Sequence, residues 1–160
     1  MAQARKLDRM DRRILRKLQE QGRLSYVDLA AAVGLSPSPC LERVRRLEKD
    51  GVILGYTAVL NPRKLGAGLL VFVEISLDYT SPDIFDQFKR AALQVPQVQE
   101  CHLVSGNFDY LLKIRIADMT EYRELLGLIL RTLPGVRDSH SFVVMEEVKE
   151  SLAIPIADGP

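Results

Sequence analysis

Residues 25–51, SYVDLAAAVGLSPSPCLERVRRLEKDG, restrict the fold more than any other stretch of the chain. Ser25 is followed three residues later by Asp28, close to a capping box, so this pair starts a helix. Ala30 and Val33, with Tyr26 or Val27, form the inner face of that helix. Gly34 supplies the left-handed residue that closes it. Ser36-Pro37 starts the next helix, because serine suits a cap and proline a first turn. Pro39 is still tolerated there, since a first turn has no internal donors to lose. Cys40, Val44 and Leu47 recur at i, i+4 and i+7 and face inward. Lys49-Asp50-Gly51 ends the helix. Upstream, Asp8 caps another helix, Asp11 suits its positive end, and Met10, Ile14, Leu15 and Leu18 form its apolar face. Three short helices joined by tight turns, the last carrying arginines, are the layout of a helix-turn-helix.

Charge supports that layout. Residues 1–64 hold 14 Lys/Arg and 7 Asp/Glu, a net of +7, and residues 65–160 hold 8 and 14, a net of −6. A basic front and an acidic back predict two domains with different partners, and the front has the electrostatics of a nucleic-acid binder. In the third helix Ser38, Glu42, Arg43, Arg45, Arg46 and Lys49 are left on or near the outer face once Cys40, Leu41, Val44 and Leu47 turn inward. Arginine reads guanine edges and clamps phosphates, while Ser36, Ser38 and the unpaired amides of the first turn, around Pro39, suit phosphate. The alternative is a solvated helix whose Glu42–Arg46 and Arg45–Lys49 spacings serve solubility alone.

Val52–Leu60 reads as extended, a wing strand followed by a connector, interrupted by Gly55. Asn61-Pro62 and Gly66-Ala67-Gly68 mark a linker. The expected division is a DNA-binding domain over 1–62, a second domain over 63–151, and a tail over 152–160 that lacks order unless a partner holds it. The second domain alternates by element type. Leu69–Tyr79, Val98–Ser105, Phe108–Ile116 and Val136–Val148 read as strands. Ser81-Pro82 starts one helix, and Thr120 caps another that runs to Leu133. The order βαββαβ predicts an α+β chain, a winged helix-turn-helix joined to a ferredoxin-like sandwich.

Several function classes are excluded on residue grounds. No apolar run approaches the ~20 residues of a membrane span, and the N-terminus lacks a signal-peptide core, so a cytoplasmic protein is expected. Cys40 and Cys101 form no Cys-x-x-Cys pair and read as small buried side chains, and His102 and His140 do not make a metal site. No nucleophile–base pair, phosphate loop or metal cluster marks an enzyme, and no cofactor is expected. The turn VSGNFDYLLK offers something different. Gly106 and Asn107 expose backbone amides, and Asp109 and Tyr110 add a carboxylate and a phenol at one sheet edge. An amino acid has groups to match both, Asp109 for its ammonium and the amides for its carboxylate. The same residues also suit a plain hairpin.

The runs SPSPCLERVRRLE and ECHLVSGNFDYLLK, with LLVFVEISL, LPGV and VVMEEVKES, resemble the Lrp/AsnC family from about Leu7 to Ser151. That resemblance implies a winged helix-turn-helix and a ligand-binding domain of the RAM or ACT-like kind. It also implies dimers formed through the sheets, assembly to octamers or larger rings, double-stranded DNA operators as partners, and no membrane. Ser36 to Arg46 would form the recognition helix, with Ser36, Ser38, Pro39, Glu42, Arg43, Arg45 and Arg46 at the DNA. Leu103, Gly106, Asn107, Asp109, Tyr110, Met119, Phe142, Val143 and Val144 would lie in or beside a pocket for an amino acid, leucine or alanine, between neighbouring dimers. The function so implied is regulation of amino-acid metabolism, globally or for one catabolic pathway, with architectural wrapping of DNA as the alternative. Asn107 departs from the family's usual Gly-Asp-Phe-Asp-Tyr. Asparagine keeps the turn geometry and removes one negative charge from the pocket rim.

Overall fold

The computed structural model describes residues 7–79 and 81–157. The chain divides into two compact units. One runs through Val59 and takes up the chain again from Glu150, and the other is Leu60–Lys149.

The first unit is built by its caps. Helix α1 (Arg9–Glu20) starts on a reciprocal pair in which the Asp8 carboxylate accepts the Asp11 N–H at 2.8 Å and Asp11 accepts the Asp8 N–H at 3.3 Å. Helix α2 (Tyr26–Val33) starts on Ser25, which accepts the Asp28 N–H at 3.1 Å, and closes on Gly34 at φ 76°. Only a residue without Cβ adopts that angle freely. Helix α3 (Pro37–Lys49) follows, with Ser36 in the cap position. Ile14, Leu29, Ala30, Val33, Cys40, Val44 and Leu47 form the core between the three helices. Leu29 takes the inward place expected for Tyr26 or Val27, which stand 44% and 62% exposed. The side facing α1 and α3 is the one shared by positions 29, 30 and 33, one turn apart.

No strand forms over the expected wing, residues 52–60. A strand needs a neighbour to pair with, and the described residues of this unit hold no other strand. The segment is tied to α3 instead: Tyr56 donates to Glu48 Oε1 at 2.9 Å, and Ile53 packs on the helical core. Of the tail expected to need a partner, residues 154–157 find their place on this unit, against α1.

The second unit contains strands β1 (Leu69–Leu77), β2 (Val98–Leu103), β3 (Tyr110–Ile116) and β4 (Val136–Val143), with helices α4 (Ile84–Ala92) and α5 (Met119–Thr132). The sheet order is β2-β3-β1-β4 with every neighbouring pair antiparallel, the ferredoxin-like sandwich. Alternation fixes the faces. Val71, Val73, Ile75 and Leu77 of β1 and Tyr110, Leu112, Ile114 and Ile116 of β3 are buried with Phe88 of α4 and Ile129 of α5. Element limits shift from those read in the sequence. Strand β4 ends at Val143, short of Val148, because Val144 is the last residue to bond β1, donating to Leu70 O at 3.0 Å. Asp118 rather than Thr120 caps α5, its carboxylate accepting the N–H groups of Thr120 and Glu121. Asp83 holds the cap position of α4, without a side-chain bond, in place of Ser81. No helix among the described residues is long and apolar enough to cross a membrane.

Candidate functional site

The first candidate surface is the outer side of α3. Ser36, Ser38, Pro39, Glu42, Arg45 and Lys49 are all exposed. The Ser36 side chain makes no capping bond; Pro37 and Pro39 carry no N–H and the Cys40 N–H donates to Ser36 O at 3.2 Å, so the Ser38 N–H is the first-turn amide left to a ligand, with two hydroxyls beside it. Those donors, the positive end of the helix and Arg45 one to two turns on form a surface complementary to a phosphate backbone.

Arg43 and Arg46, expected on or near the outer face, are half-buried and turn their guanidiniums toward the start of α1. Arg43 Nη1 donates to Asp8 Oδ2 at 2.6 Å and to Asp11 Oδ1 at 2.7 Å. Arg46 Nη2 donates to the same Asp11 oxygen at 2.7 Å. Asp11 is buried, with 5% of its side chain exposed, while Arg43 and Arg46 keep 28% and 31%. The hydrogen bond from Arg43 holds the Asp8 carboxyl below its ordinary range, and Asp8 and Asp11 together raise the guanidinium's pKa. Two acids one turn apart at the start of α1, its cap Asp8 and Asp11, thus clamp two arginines one turn apart on α3. The sequence carried the signal in matched spacings, Asp8-x-x-Asp11 and Arg43-x-x-Arg46, but caps and dipoles already accounted for the acids.

The second candidate surface lies in the sheet domain. Gly106 and Asn107 are exposed in the turn between β2 and β3, and Leu103 is 56% exposed at the end of β2. The Asp109 carboxylate is already engaged. Its Oδ2 accepts the Leu77 N–H at 2.7 Å and its Oδ1 accepts the Tyr79 hydroxyl at 2.6 Å. Asp109 thereby raises the pKa of the Tyr79 phenol, against an opposing effect from Arg137. Tyr79 thus joins the Asp109 group, a contact no motif in the sequence signals. Tyr110 is not part of an exposed rim. It is 1% exposed, stacks on Phe88 at 4.4 Å between ring centroids, and donates to Phe85 O at 3.3 Å. It pairs with Ile75 and shares that residue's inward face.

The remaining expected pocket residues lie elsewhere. Phe142 and Val143 are exposed at the end of β4, Val144 is half-buried just beyond it, and Met119 opens α5 with half its surface exposed. Tyr110 pairs with Ile75 of β1, whereas Val143 pairs with Val71. Four residues of strand separate the two levels by about 13 Å, and β3 and β4 flank β1 on opposite sides. One chain therefore divides these residues between the two ends of its sheet, with Asp109 beside the central strands at one and Met119 and Phe142–Val144 at the other.

The sheet face turned away from the helices carries Phe72, Leu111 and Phe142 with a charged group. Lys113 donates to Glu100 at 3.1 Å, and Glu100 contacts His102 at 3.0 Å. Both partners, His102 first, keep the Glu100 carboxyl below its ordinary range. Among the described residues no cluster of three or more His, Cys, Asp or Glu is placed to hold a metal ion.

Comparison with known proteins agrees with both halves. Residues 70–154 match the Lrp/AsnC ligand binding domain, and residues 7–48 match the AsnC-type helix-turn-helix domain. The chain is 62% identical over 145 residues to the leucine-responsive regulatory protein of Escherichia coli (strain K12), covering 91% of this chain and 88% of that protein. Among solved structures it is similar to a transcriptional regulator of Neisseria meningitidis in complex with L-Met. The TM-score is 0.89 and the identity 36%, over 94% of this chain and 97% of that one. The leucine response regulatory protein of Mycobacterium tuberculosis is similar at a TM-score of 0.75 and 34% identity, over 93% of this chain and all of the other.

Proposed function

The chain belongs to the Lrp/AsnC family of transcriptional regulators, and from that premise we propose a division of labour between its two units. The N-terminal unit binds operator DNA through the exposed side of α3, with Ser36, Ser38, Pro39, Glu42 and Arg45 at the duplex. Arg43 and Arg46 hold that helix in place through Asp8 and Asp11. The C-terminal unit binds a small amino acid, leucine or alanine, and assembles the oligomer. The L-Met complex of the Neisseria relative supports an amino acid in this domain.

The observation that carries the reading is the split of the pocket residues between the two ends of one sheet. An effector touching both Asp109 and Phe142–Val144 must lie between two copies of the chain. The open sheet face, with Phe72, Leu111 and Phe142, supplies a surface for pairing copies. Ligand then favours one assembly over another, and assembly determines which operators are covered. A coupling of about 1–3 kcal/mol gives a clear response.

The test is a thermal-shift screen of the twenty amino acids, followed by gel shift on operator and random duplex at fixed salt. A stabilising amino acid that changes operator affinity is expected. An architectural protein would instead bind random DNA equally well and lose it steeply with salt.

A further inference from the structure

Helix α1 turns a row of polar side chains away from the helical core, and the chain's own C-terminal residues lie along it. Gln19 holds Ile154 by both amide groups: its Nε2 donates to Ile154 O at 3.0 Å, and its Oε1 accepts the Ile154 N–H at 2.7 Å. Arg16 closes on Ile156 O with Nε at 3.1 Å and Nη2 at 2.8 Å. Arg12 Nη1 donates to Ala157 O at 2.8 Å. The partners descend α1 as the tail advances, so helix and tail run antiparallel.

The lengths agree. Seven helical residues from 12 to 19 span about 10 Å, and three extended residues from 154 to 157 also span about 10 Å. Every one of these contacts is to main chain. Ile154 itself is 73% exposed, so it is the backbone and not the side chain that is recognised. A guanidinium whose donors are taken by carbonyl oxygens cannot give the same forked contact to a phosphate.

We propose that the outer face of α1 is a receptor for the extended C-terminal segment 154–157, and that the seated tail withholds Arg12 and Arg16 from the DNA backbone. The withholding rests on the DNA-binding reading above, whereas the docking does not. The tail is then a strap across the DNA-binding unit, and its release adds two cations to those available to phosphates.

The experiment uses the full chain and Ile154→Pro, which removes the N–H that Gln19 accepts and leaves every arginine in place. In hydrogen exchange the wild-type Ile154 amide is expected to be protected, and Gln19→Ala to release it. Exchange of the wild-type amide at the rate of an unstructured peptide overturns the docking. Ile154→Pro should steepen the dependence of log K on log salt by up to about 1.8 for random duplex, the effect of two further phosphate contacts. An unchanged slope with the wild-type amide protected overturns the withholding. Failure of the wild-type chain to bind any duplex instead counts against the DNA-binding reading, and the exchange result still decides the docking.

Discussion

Replacing Asp11 with alanine should damage the DNA-binding unit although the residue never faces DNA. The carboxylate is buried, accepts from Arg43 and Arg46 at 2.7 Å each and completes the reciprocal cap with Asp8. Removing one partner of a buried ion pair costs about 3–5 kcal/mol when the other stays dry. Here both guanidiniums remain 28–31% exposed, so water recovers part of their solvation. Two charge-assisted bonds at the low end, about 1.5 kcal/mol each, less that recovery and plus a fraction of a kcal/mol for the cap, leave about 3 kcal/mol. For a unit of this size 1 kcal/mol moves Tm by roughly 4–8 °C, so the N-terminal transition should fall by roughly 12–24 °C.

Calorimetry of the full chain reads that transition, and a double-mutant cycle with Arg43→Ala isolates the pair. The coupling should exceed about 1 kcal/mol. A second readout separates clamp from DNA contact. If Arg43 positions the helix, Arg43→Ala weakens operator binding without changing its salt dependence, whereas Arg45→Ala lowers the log–log slope by about 0.9 for one lost phosphate. A fall in Tm of only a degree or two for Asp11→Ala, or a reduced slope for Arg43→Ala, would refute the clamp.

Three other perturbations test other parts of the molecule. Asp109→Ala leaves the Leu77 N–H and the Tyr79 hydroxyl without their acceptor; the chain should stay folded and bind DNA while titration calorimetry shows the amino-acid heat abolished, and unchanged heat would remove Asp109 from the site. Gly135 sits at φ 74°, where an added Cβ would come within 2.6 Å of Ile84 Cγ1 and Cδ1; Gly135→Ala should cost about 2–4 kcal/mol from backbone strain and the displaced isoleucine, measured by denaturant unfolding of the C-terminal unit. Acid should loosen the N-terminal unit through Asp8, because a carboxyl whose folded pKa is lowered contributes stability that is complete above its unfolded value and lost as pH falls through the folded one; below about pH 4 the wild type should lose stability faster than Asp8→Asn, and parallel curves would exclude the pair.

Local signals were readable and distant ones were not. Asp8, Ser25 and Gly34 act on groups within a few residues, so the sequence states their roles directly. The Arg43–Asp11 pair joins residues 32 apart, and only the packing of α3 across α1 brings them together. Tyr110 is a different case. Its inward direction was present in the parity of β3, where 110, 112, 114 and 116 are apolar and 113 and 115 are charged. The turn signal of Gly106-Asn107 drew the residue to the wrong side of that boundary. The wing and the end of β4 could not be read because a β-rich pattern does not say whether a partner edge exists within the chain.

The separation of Asp109 from Phe142–Val144 bears on how the effector signal is carried. Binding that requires residues from two copies is possible only in the assembled state. Effector and assembly are then linked, and each must favour the other by the same factor. A chain with a complete pocket of its own would bind an amino acid with an affinity independent of protein concentration. Here the apparent affinity should tighten as concentration rises through the range in which copies associate, and dilution should release ligand and dissolve the assembly together. Calorimetric titrations at two protein concentrations that gave one Kd, with sedimentation showing different assemblies, would break that linkage and place the whole site within a single chain.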